Sequence, residues 1–424
     1  MSMWEMNTMD DLLVVGGGAS GMMAALRAAE CGARVRLLER NEKLGKKIYI
    51  TGKGRCNMTN DCTLEEFLRE VPRNPRFLYS ALAELSPQAL MERMEAMGCP
   101  VQVQRGRRVF PASEKASDVT LALSRRLRAL HVGIELNTRV SGILTEKDRV
   151  CGCTTEDGRT FSCRALILAT GGLSAPLTGS TGDGYRLARE TGHEVTPLRP
   201  SLTGICTVET WPSMAQGLSL KNVRLSAPGG KKFLFDQRGE MLLTHYGISG
   251  PLVLELTSHL PDSGEMPEIH LCLKPAVEEA ELDARMVKDL SASPGRSVQR
   301  ILEGYMPHSL ARIFPEICGV RPEDTGAQIN RESRKKLVRG LKDLTLHIRS
   351  LRPMDEAVIT RGGVVVRQVD PGTMESRLLP GLFFAGELLD VDAHTGGYNL
   401  QIAFATGALA GRRAAEYCLR EETV

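Results

Sequence analysis

Apolar runs that end in glycine-rich turns stand near both ends of the chain. Near the start, the run Leu12–Val15 is followed by glycines at 16, 18 and 21 and then by the small-residue stretch Met22–Cys31. A second apolar run, Ala33–Leu38, ends in Glu39. Because a short apolar run before glycine indicates a buried strand and a longer apolar stretch indicates a helix, the pattern predicts a strand, a tight turn, a helix and a second strand.

The next part of the chain alternates between helical and strand-like patterns. Residues 59–130 predict mostly helices. The run Ala165–Ala169 again has the pattern of a buried strand, and it ends in a turn at Thr170. Between them, three short antiparallel strands are predicted at Ile134–Leu144, Val150–Thr155 and Thr160–Cys163.

From residue 196 onward the composition of the chain changes. Frequent glycine and proline among β-forming residues continue to 275, and a charged helical pattern follows. The sequence therefore predicts a first domain from 1–195 and 355–424, an inserted β-rich, barrel-like domain from 196–275 and 346–354, and a helical subdomain from 276–345.

Composition and charge exclude some classes of protein. The 424 residues carry a formal net charge of +3, so we expect no nucleic acid partner, and basic clusters such as Arg334–Lys336 are interpreted as solvated faces. Eleven cysteines without Cys-x-x-Cys spacing indicate reduced thiols and no metal site. Because no apolar run reaches ~18 residues and no secretory pattern stands at the start, we expect no membrane span and a cytoplasmic protein.

The glycines near the start have the spacing of a phosphate-binding turn. In such a turn Gly16 permits the bend, Gly18 lets a pyrophosphate approach the backbone, and Gly21 lets the helix pack on its strand. The helix N-terminus then faces the phosphates, and Glu39 stands where an acid binds ribose hydroxyls. The pattern predicts an α/β, Rossmann-like dinucleotide-binding domain.

Further segments fit the same ligand. The stretch from Leu44 to Asn57 is rich in glycine and lysine, which suits a diphosphate, and a flexible basic surface loop is the alternative. Near the end, the run Leu382–Phe384 precedes Ala385-Gly386-Glu387, and Thr395-Gly396-Gly397 precedes a helical pattern. These segments predict one site, assembled from both chain ends around a large ligand.

Six motifs together resemble one family. They are Gly-Gly-Gly-Ala-Ser-Gly at 16–21, Thr-Gly-Lys-Gly-Arg-Cys-Asn at 51–57, Ala-Thr-Gly-Gly at 169–172, Gly-Ser-Thr-Gly-Asp-Gly at 179–184, Thr-His-Tyr-Gly-Ile-Ser-Gly-Pro at 244–251 and Gly-Glu-Leu-Leu-Asp-Val-Asp at 386–392. With them the chain is similar, nearly from end to end, to the YhiN/BaiN-type bacterial NAD(P)/FAD-dependent oxidoreductases, which include aminoacetone oxidase-like flavoproteins. The resemblance implies FAD as cofactor and a Rossmann-like FAD-binding domain assembled from both chain ends.

The resemblance also implies which residues hold FAD. Glu39 would bind the adenosine ribose, and Val140 would contact the adenine through its backbone. The helix after Gly397 would direct its amides at flavin N1 and the C2 carbonyl, where a helix N-terminus stabilises negative charge by ~0.3–2 kcal/mol. The complete set of expected FAD contacts is Gly16, Gly18, Ala19, Ser20, Gly21, Glu39, Arg40, Lys46, Lys47, Thr51, Gly52, Cys56, Asn57, Val140, Thr170, Gly171, Gly386, Glu387, Gly397, Asn399 and Leu400.

The leading hypothesis is a reductase that passes hydride from NADH or NADPH to a conjugated enone. No second Gly-x-Gly-x-x-Gly turn follows a strand, so the nicotinamide would bind transiently near the flavin. BaiN-type relatives suggest a 3-oxo-Δ4/Δ6 bile acid or steroid, an apolar small molecule that an inserted domain could enclose. Expected proton donors are His245, Tyr246 and Tyr398, and packing or a hinge is the alternative role for the first two.

Other activities stay open. One is an amine oxidase that resembles the aminoacetone enzymes and returns electrons to O2. Another is a flavin-dependent RNA-modifying enzyme, against which the near-neutral charge argues. A non-catalytic flavin-binding regulator is the third. The sequence does not indicate an oligomeric state.

Overall fold

The computed structural model describes residues 10–229, 232–262 and 264–420. These residues form two compact units. The first unit lies within Met1–Pro200 and Ala357–Val424, and the second comprises Ser201–Glu356. The chain therefore leaves the first unit once and returns to it.

Up to the unit boundary, the chain forms ten strands and seven α-helices among the described residues. In chain order they are β1 Asp10–Val15, α1 Ala19–Glu30, β2 Val35–Leu38, α2 Lys46–Ile50, β3 Thr59–Asn60, α3 Leu64–Arg69, α4 Tyr79–Glu84, α5 Pro87–Ala96, β4 Val101–Gln104, β5 Arg108–Pro111, α6 Ala116–Ala129, β6 Gly133–Glu135, β7 Val140–Glu146, β8 Arg149–Thr155, β9 Thr160–Leu168, α7 Asp183–Glu190 and β10 Arg199–Ser201. The predicted strand, turn, helix and strand are β1, the Gly16 turn, α1 and β2.

The second unit combines one antiparallel sheet with helices. Its elements are β11 Ile205–Thr207, α8 Trp211–Met214, β12 Ser219–Gly229, β13 Lys232–Thr244, β14 Gly247–Ser249, α9 Pro251–His259, β15 Ile269–Cys272, α10 Glu279–Ala292, α11 Val298–Leu302, α12 His308–Ala311, α13 Phe314–Ile317, α14 Arg331–Lys342, β16 Leu344–Leu346 and β17 Ile348–Leu351. The strand order is β16-β15-β12-β13-β14-β11-β17. Since only His347 separates β16 from β17, the path of paired strands starts and ends on one segment of the chain. The predicted barrel stays a prediction.

Both units have a hydrophobic core of their own. In the second unit the sheet packs on the helices through residues such as Leu225, Leu256 and Leu337, which are fully buried. The chain then returns to the first unit with β18 Ile359–Arg361, β19 Leu382–Phe384 and α15 Tyr398–Arg420. Across the described ranges, no helix has the length and apolar character that a membrane crossing requires.

The sheet of the first unit is parallel on one side and antiparallel on the other. β6, β2, β1, β9 and β19 run parallel, whereas β9, β8 and β7 pair antiparallel. Val15 lies opposite Leu38 and Leu168, and Phe384 also pairs with Leu168. The turns that follow these strands therefore lie at one edge of the sheet, where doubly wound folds bind their ligands.

Two predicted strand boundaries are wrong. Thr160–Cys163 and Ala165–Ala169 form one strand, β9, because its first residues pair with β8 and its later residues pair with β1. Ile134–Leu144 divides into β6, which joins the parallel sheet, and β7. Asn137 between them has a φ of +52°, a left-handed conformation that interrupts a strand.

Small residues bring the two chain ends together. A Cβ added at Gly407 of α15 would lie 2.2 Å from the Ser20 carbonyl oxygen, and one at Gly411 would lie 2.1 Å from the Ala24 carbonyl oxygen. Because only glycine permits such an approach, α15 packs directly against the backbone of α1. The first and last helices of the described chain thus share one interface beside the sheet edge.

Candidate functional site

The glycine turn after β1 combines crowded positions with one open position. A Cβ at Gly16, where φ is +106°, would lie 2.5 Å from the Ala169 carbonyl oxygen, and a Cβ at Gly21 would lie 1.8 Å from the Gly16 carbonyl oxygen. At Gly18, in contrast, a Cβ would meet no described atom within 4 Å beyond its chain neighbours. Gly18 precedes α1, whose start has no side-chain cap among the described residues. An open space at an uncapped helix N-terminus suits an anion.

Glu39 stands beside this turn at the end of β2. Its Oε2 accepts a hydrogen bond from the Gly17 amide at 2.6 Å. Its Oε1 accepts from the backbone and side-chain nitrogens of Asn41 at 2.8 and 2.7 Å. The carboxylate is buried, and it belongs to the turn at which a ribose acid is expected.

Glu387 organises the opposite side of this sheet edge. One oxygen of its carboxylate accepts from Lys47 Nζ at 2.6 Å, and the other accepts from Ser174 Oγ at 2.8 Å and the Thr360 amide at 2.8 Å. Lys47 Nζ also donates to Ser174 Oγ at 2.6 Å. Gly386 beside it has a φ of +78°, and its amide donates to Thr406 Oγ1 of α15 at 2.9 Å. Glu387 therefore joins segments that lie far apart in sequence.

The loop before α15 is fixed by hydrogen bonds. Asn399 Oδ1 accepts from the Ala393 amide at 2.9 Å, and its Nδ2 donates to the Ala393 carbonyl at 2.7 Å. A Cβ at Gly397 would lie 2.3 Å from the Thr59 carbonyl oxygen. Asn60 Nδ2 donates to the Gly396 carbonyl at 3.2 Å. The side chain of Asn399, an expected FAD contact, thus holds the loop, while the backbone amide of the same residue lies at the start of the helix.

Asp392 is a buried carboxyl group in the same loop. Its side chain is 1% exposed, and neither oxygen has a hydrogen-bond partner among the described residues. The Nε of Arg73 lies 3.4 Å from Oδ1. Burial raises the pKa of Asp392 to about 6, although the charges of Arg73 and Arg361 act in the opposite direction.

This shifted pKa predicts a pH dependence of stability. An ordinary aspartate has a pKa of 3.8, so between about pH 4 and 6 native Asp392 holds a proton that the unfolded chain has released. Stability is therefore lost as pH rises through this window and stays lower above it. Relative to Asp392→Asn, the wild-type free energy of unfolding should fall by about 2 to 3 kcal/mol from pH 4 to pH 7.

Urea unfolding of both proteins across this pH range measures the difference. Asp355→Asn, which removes an exposed carboxylate from the second unit, is the control and should show no such trend. A difference between wild type and Asp392→Asn that does not change with pH would contradict the prediction.

The basic stretch that follows α2 forms a tight loop. Gly52 and Lys53 have φ values of +56° and +58°. Thr51 Oγ1 donates to the Ile48 carbonyl at 2.7 Å. Burial raises the pKa of Cys56 to about 12, so its thiol is neutral. The buried Oδ1 of Asn57 has no hydrogen-bond partner among the described residues. Because a buried acceptor without a donor is costly, Asn57 is suited to contact a bound group.

The other expected FAD contacts lie in the first unit as well. Arg40 pairs with Asp183 at 3.0 Å, and Lys46 pairs with Glu42 at 2.9 Å, so both cations have protein partners. The buried Thr170 Oγ1 has no partner among the described residues. The remaining members of the set are Ala19 and Ser20 in the first turn of α1, Val140 at the start of β7, Gly171 beside Ser180, and Leu400 in the first turn of α15.

The expected proton donors belong to different units. Tyr398 is the first residue of α15 in the first unit and packs edge-on against Phe67, with ring centroids 5.2 Å apart. His245 and Tyr246 belong to the second unit, where their rings lie 5.0 Å apart and the Arg352 guanidinium lies 4.4 Å from the Tyr246 ring centroid. Their catalytic roles stay predictions.

Sequence reasoning did not identify Ser174 and Thr360. The Thr360 hydroxyl accepts from the amides of Leu173 and Ser174 at 2.8 and 3.0 Å, which fixes the turn after β9 beside Glu387. Ser174 follows a glycine turn at the end of a buried strand, and that position was a usable signal. Thr360 has no such signal, because its strand was not predicted.

Comparisons with known proteins agree with this architecture. Residues 10–413 match the model of the HI0933-like protein Rossmann domain. The chain is 34% identical over 414 residues to the 3-dehydro-bile acid delta(4,6)-reductase of Clostridium scindens, covering 96% of this chain and 100% of that protein. It is 29% identical over 399 residues to the ribosomal RNA dihydrouridine synthase of Escherichia coli, covering 93% and 96%.

A solved structure agrees in fold alone. The 3-ketosteroid delta1-dehydrogenase of Sterolibacterium denitrificans, in complex with 1,4-androstadiene-3,17-dione, superposes with a TM-score of 0.50 at 15% identity, covering 96% of this chain and 99% of that chain. The family match spans nearly all of the described residues, and the bacterial relatives are covered almost completely. The chain therefore belongs to the HI0933-like Rossmann-domain family and is an FAD-dependent oxidoreductase.

Proposed function

We propose that the protein reduces a carbon–carbon double bond that is conjugated with a carbonyl group. One observation carries the proposal. Two relatives that match the chain nearly end to end have names that describe this same reaction, on a bile acid in one case and on RNA in the other. The Δ(4,6) double bonds of a 3-dehydro bile acid are conjugated with a ketone. The double bond of uracil that is saturated in dihydrouridine is conjugated with a ring carbonyl.

The residues at the sheet edge fit FAD. The open space at Gly18 and the uncapped start of α1 suit the pyrophosphate, and Glu39 suits the adenosine ribose. The unpartnered Asn57 Oδ1 and Thr170 Oγ1 are acceptors for hydroxyl groups of the cofactor. When bound, FAD supplies a carrier that accepts hydride from one substrate and delivers it to another.

The chain's own residues would hold the reacting groups in place. Glu387, held by Lys47, fixes the turn after β19, and Asn399 fixes the loop before α15. The amides at the start of α15 would stabilise negative charge by about 0.3 to 2 kcal/mol. The reaction also needs a proton for the α carbon and a donor to the carbonyl oxygen, and we assign these roles to Tyr398, His245 and Tyr246.

The substrate that we place first is a 3-oxo-Δ4/Δ6 bile acid or steroid, with NADH or NADPH as the reductant. This choice rests on the relative with 34% identity. Uridine in RNA is the second candidate, because the second relative acts on ribosomal RNA according to its name. The predicted absence of a nucleic acid partner finds no support in this comparison.

An anaerobic titration tests the proposal. We expect NADH or NADPH to bleach the flavin band near ~450 nm, and a 3-oxo-Δ4/Δ6 bile acid added afterwards to restore it. The same titration on protein without flavin is the control. Bleaching by a small amine, with peroxide release in air and no reaction with either nicotinamide, would contradict the proposal in favour of the oxidase. Restoration by an RNA fragment containing uridine, but by no bile acid, would retain the chemistry and replace the first substrate by the second.

A further inference from the structure

Helix α14 of the second unit is held firmly on one side. Leu337, Val338 and Leu341 are buried, and a Cβ at Gly340 would lie 2.5 Å from Cys318 Sγ. Asn330 caps the helix by accepting a hydrogen bond from the Ser333 amide at 2.9 Å. The orientation of the outer face is therefore fixed within this unit.

Three of the six cations on this helix have protein partners. Arg334 forms a two-pronged ion pair with Asp283 at 2.8 and 3.2 Å. Lys336 pairs with Glu332 at 3.1 Å, and Lys342 Nζ donates to the Val277 carbonyl at 2.6 Å. The sequence cluster at 334–336 thus does not form one basic surface, because two of its three charges are paired with carboxylates of the same unit.

The other three cations form an exposed row. Arg331, Lys335 and Arg339 are exposed, and their side chains make no hydrogen bond or ion pair with any described residue. They are spaced four residues apart, so they follow one another along the helix over about 12 Å. The nearby carboxylate of Asp283 is already paired with Arg334.

The complete row is not explained by the stability of the helix. Like charges four residues apart repel each other on a helix surface, and the carboxylate of Asp283, whose pKa the charges of Arg331 and Lys335 help to lower, is shared with its ion-pair partner Arg334. Arg331 stands in the first turn, where a positive charge opposes the helix dipole. Arg339 stands in the last turn, where a positive charge is favourable, so the helix itself gives no reason for the complete row. A fixed row of exposed cations fits an anionic partner with regularly spaced charges.

We propose that Arg331, Lys335 and Arg339 bind the phosphate backbone of RNA. A membrane surface is the weaker partner, because helices that lie in a bilayer interface expose large apolar side chains, and α14 exposes none. The identification of RNA rests on the proposed function, since uracil carries the conjugated carbonyl that this chemistry requires. The contact with phosphates does not depend on it.

The test measures binding of a fluorescently labelled RNA hairpin to the FAD-loaded protein between about 50 and 200 mM salt. The test variant carries Arg331→Gln, Lys335→Gln and Arg339→Gln, which keep good helix formers at exposed positions. The matched control carries Lys221→Gln, Arg300→Gln and Arg312→Gln, three exposed cations at separate places in the same unit.

We expect the row variant to bind RNA about 100-fold more weakly at 0.1 M salt and to lose about two to three units of the salt slope. The control should bind like the wild type. Equal binding by the row variant and the control, or no salt-dependent binding by the wild type, would overturn the proposal. Row-dependent binding to vesicles with anionic lipid, but not to RNA, would overturn it in favour of a membrane partner.

Flavin bleaching by NADH or NADPH separates this proposal from the proposed function. The row variant should keep the wild-type bleaching rate, because none of its three residues belongs to the expected flavin set. Loss of RNA binding with intact reduction of a bile acid would leave the enone chemistry standing and remove the RNA surface. If the row binds RNA but neither NADH nor NADPH reduces the flavin, the RNA surface stands and the proposed reductase function falls.

Discussion

Gly18→Val should leave the fold intact and weaken FAD binding by about 100-fold to 10,000-fold. The backbone at Gly18 has a φ of −80°, which valine adopts readily, and a Cβ there meets no described atom within 4 Å beyond the chain neighbours. The valine methyl groups would instead occupy the space into which the pyrophosphate is expected to fit. Loss of two charge-assisted hydrogen bonds from backbone amides costs about 3 to 6 kcal/mol, which corresponds to this range of affinity.

Two further glycine variants make the measurement specific. Gly295→Val places a valine at another open position, in the second unit, and should bind FAD like the wild type. Gly21→Ala should lose both stability and FAD, because its Cβ would lie 1.8 Å from the Gly16 carbonyl oxygen. Flavin fluorescence quenching gives the affinity, and thermal unfolding of the apoprotein gives the stability. A Gly18→Val protein that is as stable as the wild type and binds FAD equally well would contradict the assignment of the turn.

The fold class was predictable because local signals coincide at the start of the chain. The apolar run before Gly16, the small residues of α1 and the acid at the end of β2 each indicate the same unit, and the family match confirms it. Strand limits in the middle were less predictable, because pairing decides them. Arg164 lies inside β9 even though its charge suggests a break, since its guanidinium reaches the Cys418 carbonyl at 3.1 Å.

The functional site was predictable only in part, for a related reason. The motifs name residues that lie near each other in sequence, and the glycine turns after strands indicate the sheet edge. The partners of Glu387 come from positions 47, 174 and 360, and only the tertiary fold brings these together. Burial raises the pKa of Asp392, and the charges that oppose this rise come from Arg73 and Arg361, which no local pattern connects with Asp392.

Glu387→Ala should destabilise the first unit by about 3 to 4 kcal/mol. The substitution leaves Lys47 Nζ without its carboxylate, and it leaves the Thr360 amide without its acceptor. Removal of one member of a buried ion pair costs about 3 to 5 kcal/mol, and Lys47 keeps 23% of its side-chain exposure, which favours the lower part of the range. Urea unfolding of the apoprotein measures the loss.

A double-mutant cycle shows whether the pair acts as a unit. Lys47→Met in the Glu387→Ala background should cost less than Lys47→Met alone, with a coupling of about 1 to 3 kcal/mol. Glu190→Ala, which breaks the exposed pair with Arg186, is the control and should change stability by less than about 1 kcal/mol. Repeating the cycle with FAD bound separates the two roles of Glu387. If the carboxylate also contacts the ribityl chain, Glu387→Ala will lower the free energy of unfolding more in the holoprotein than in the apoprotein. Additive effects of the two substitutions in both forms would contradict the coupling and show that Glu387 does not hold this edge through Lys47.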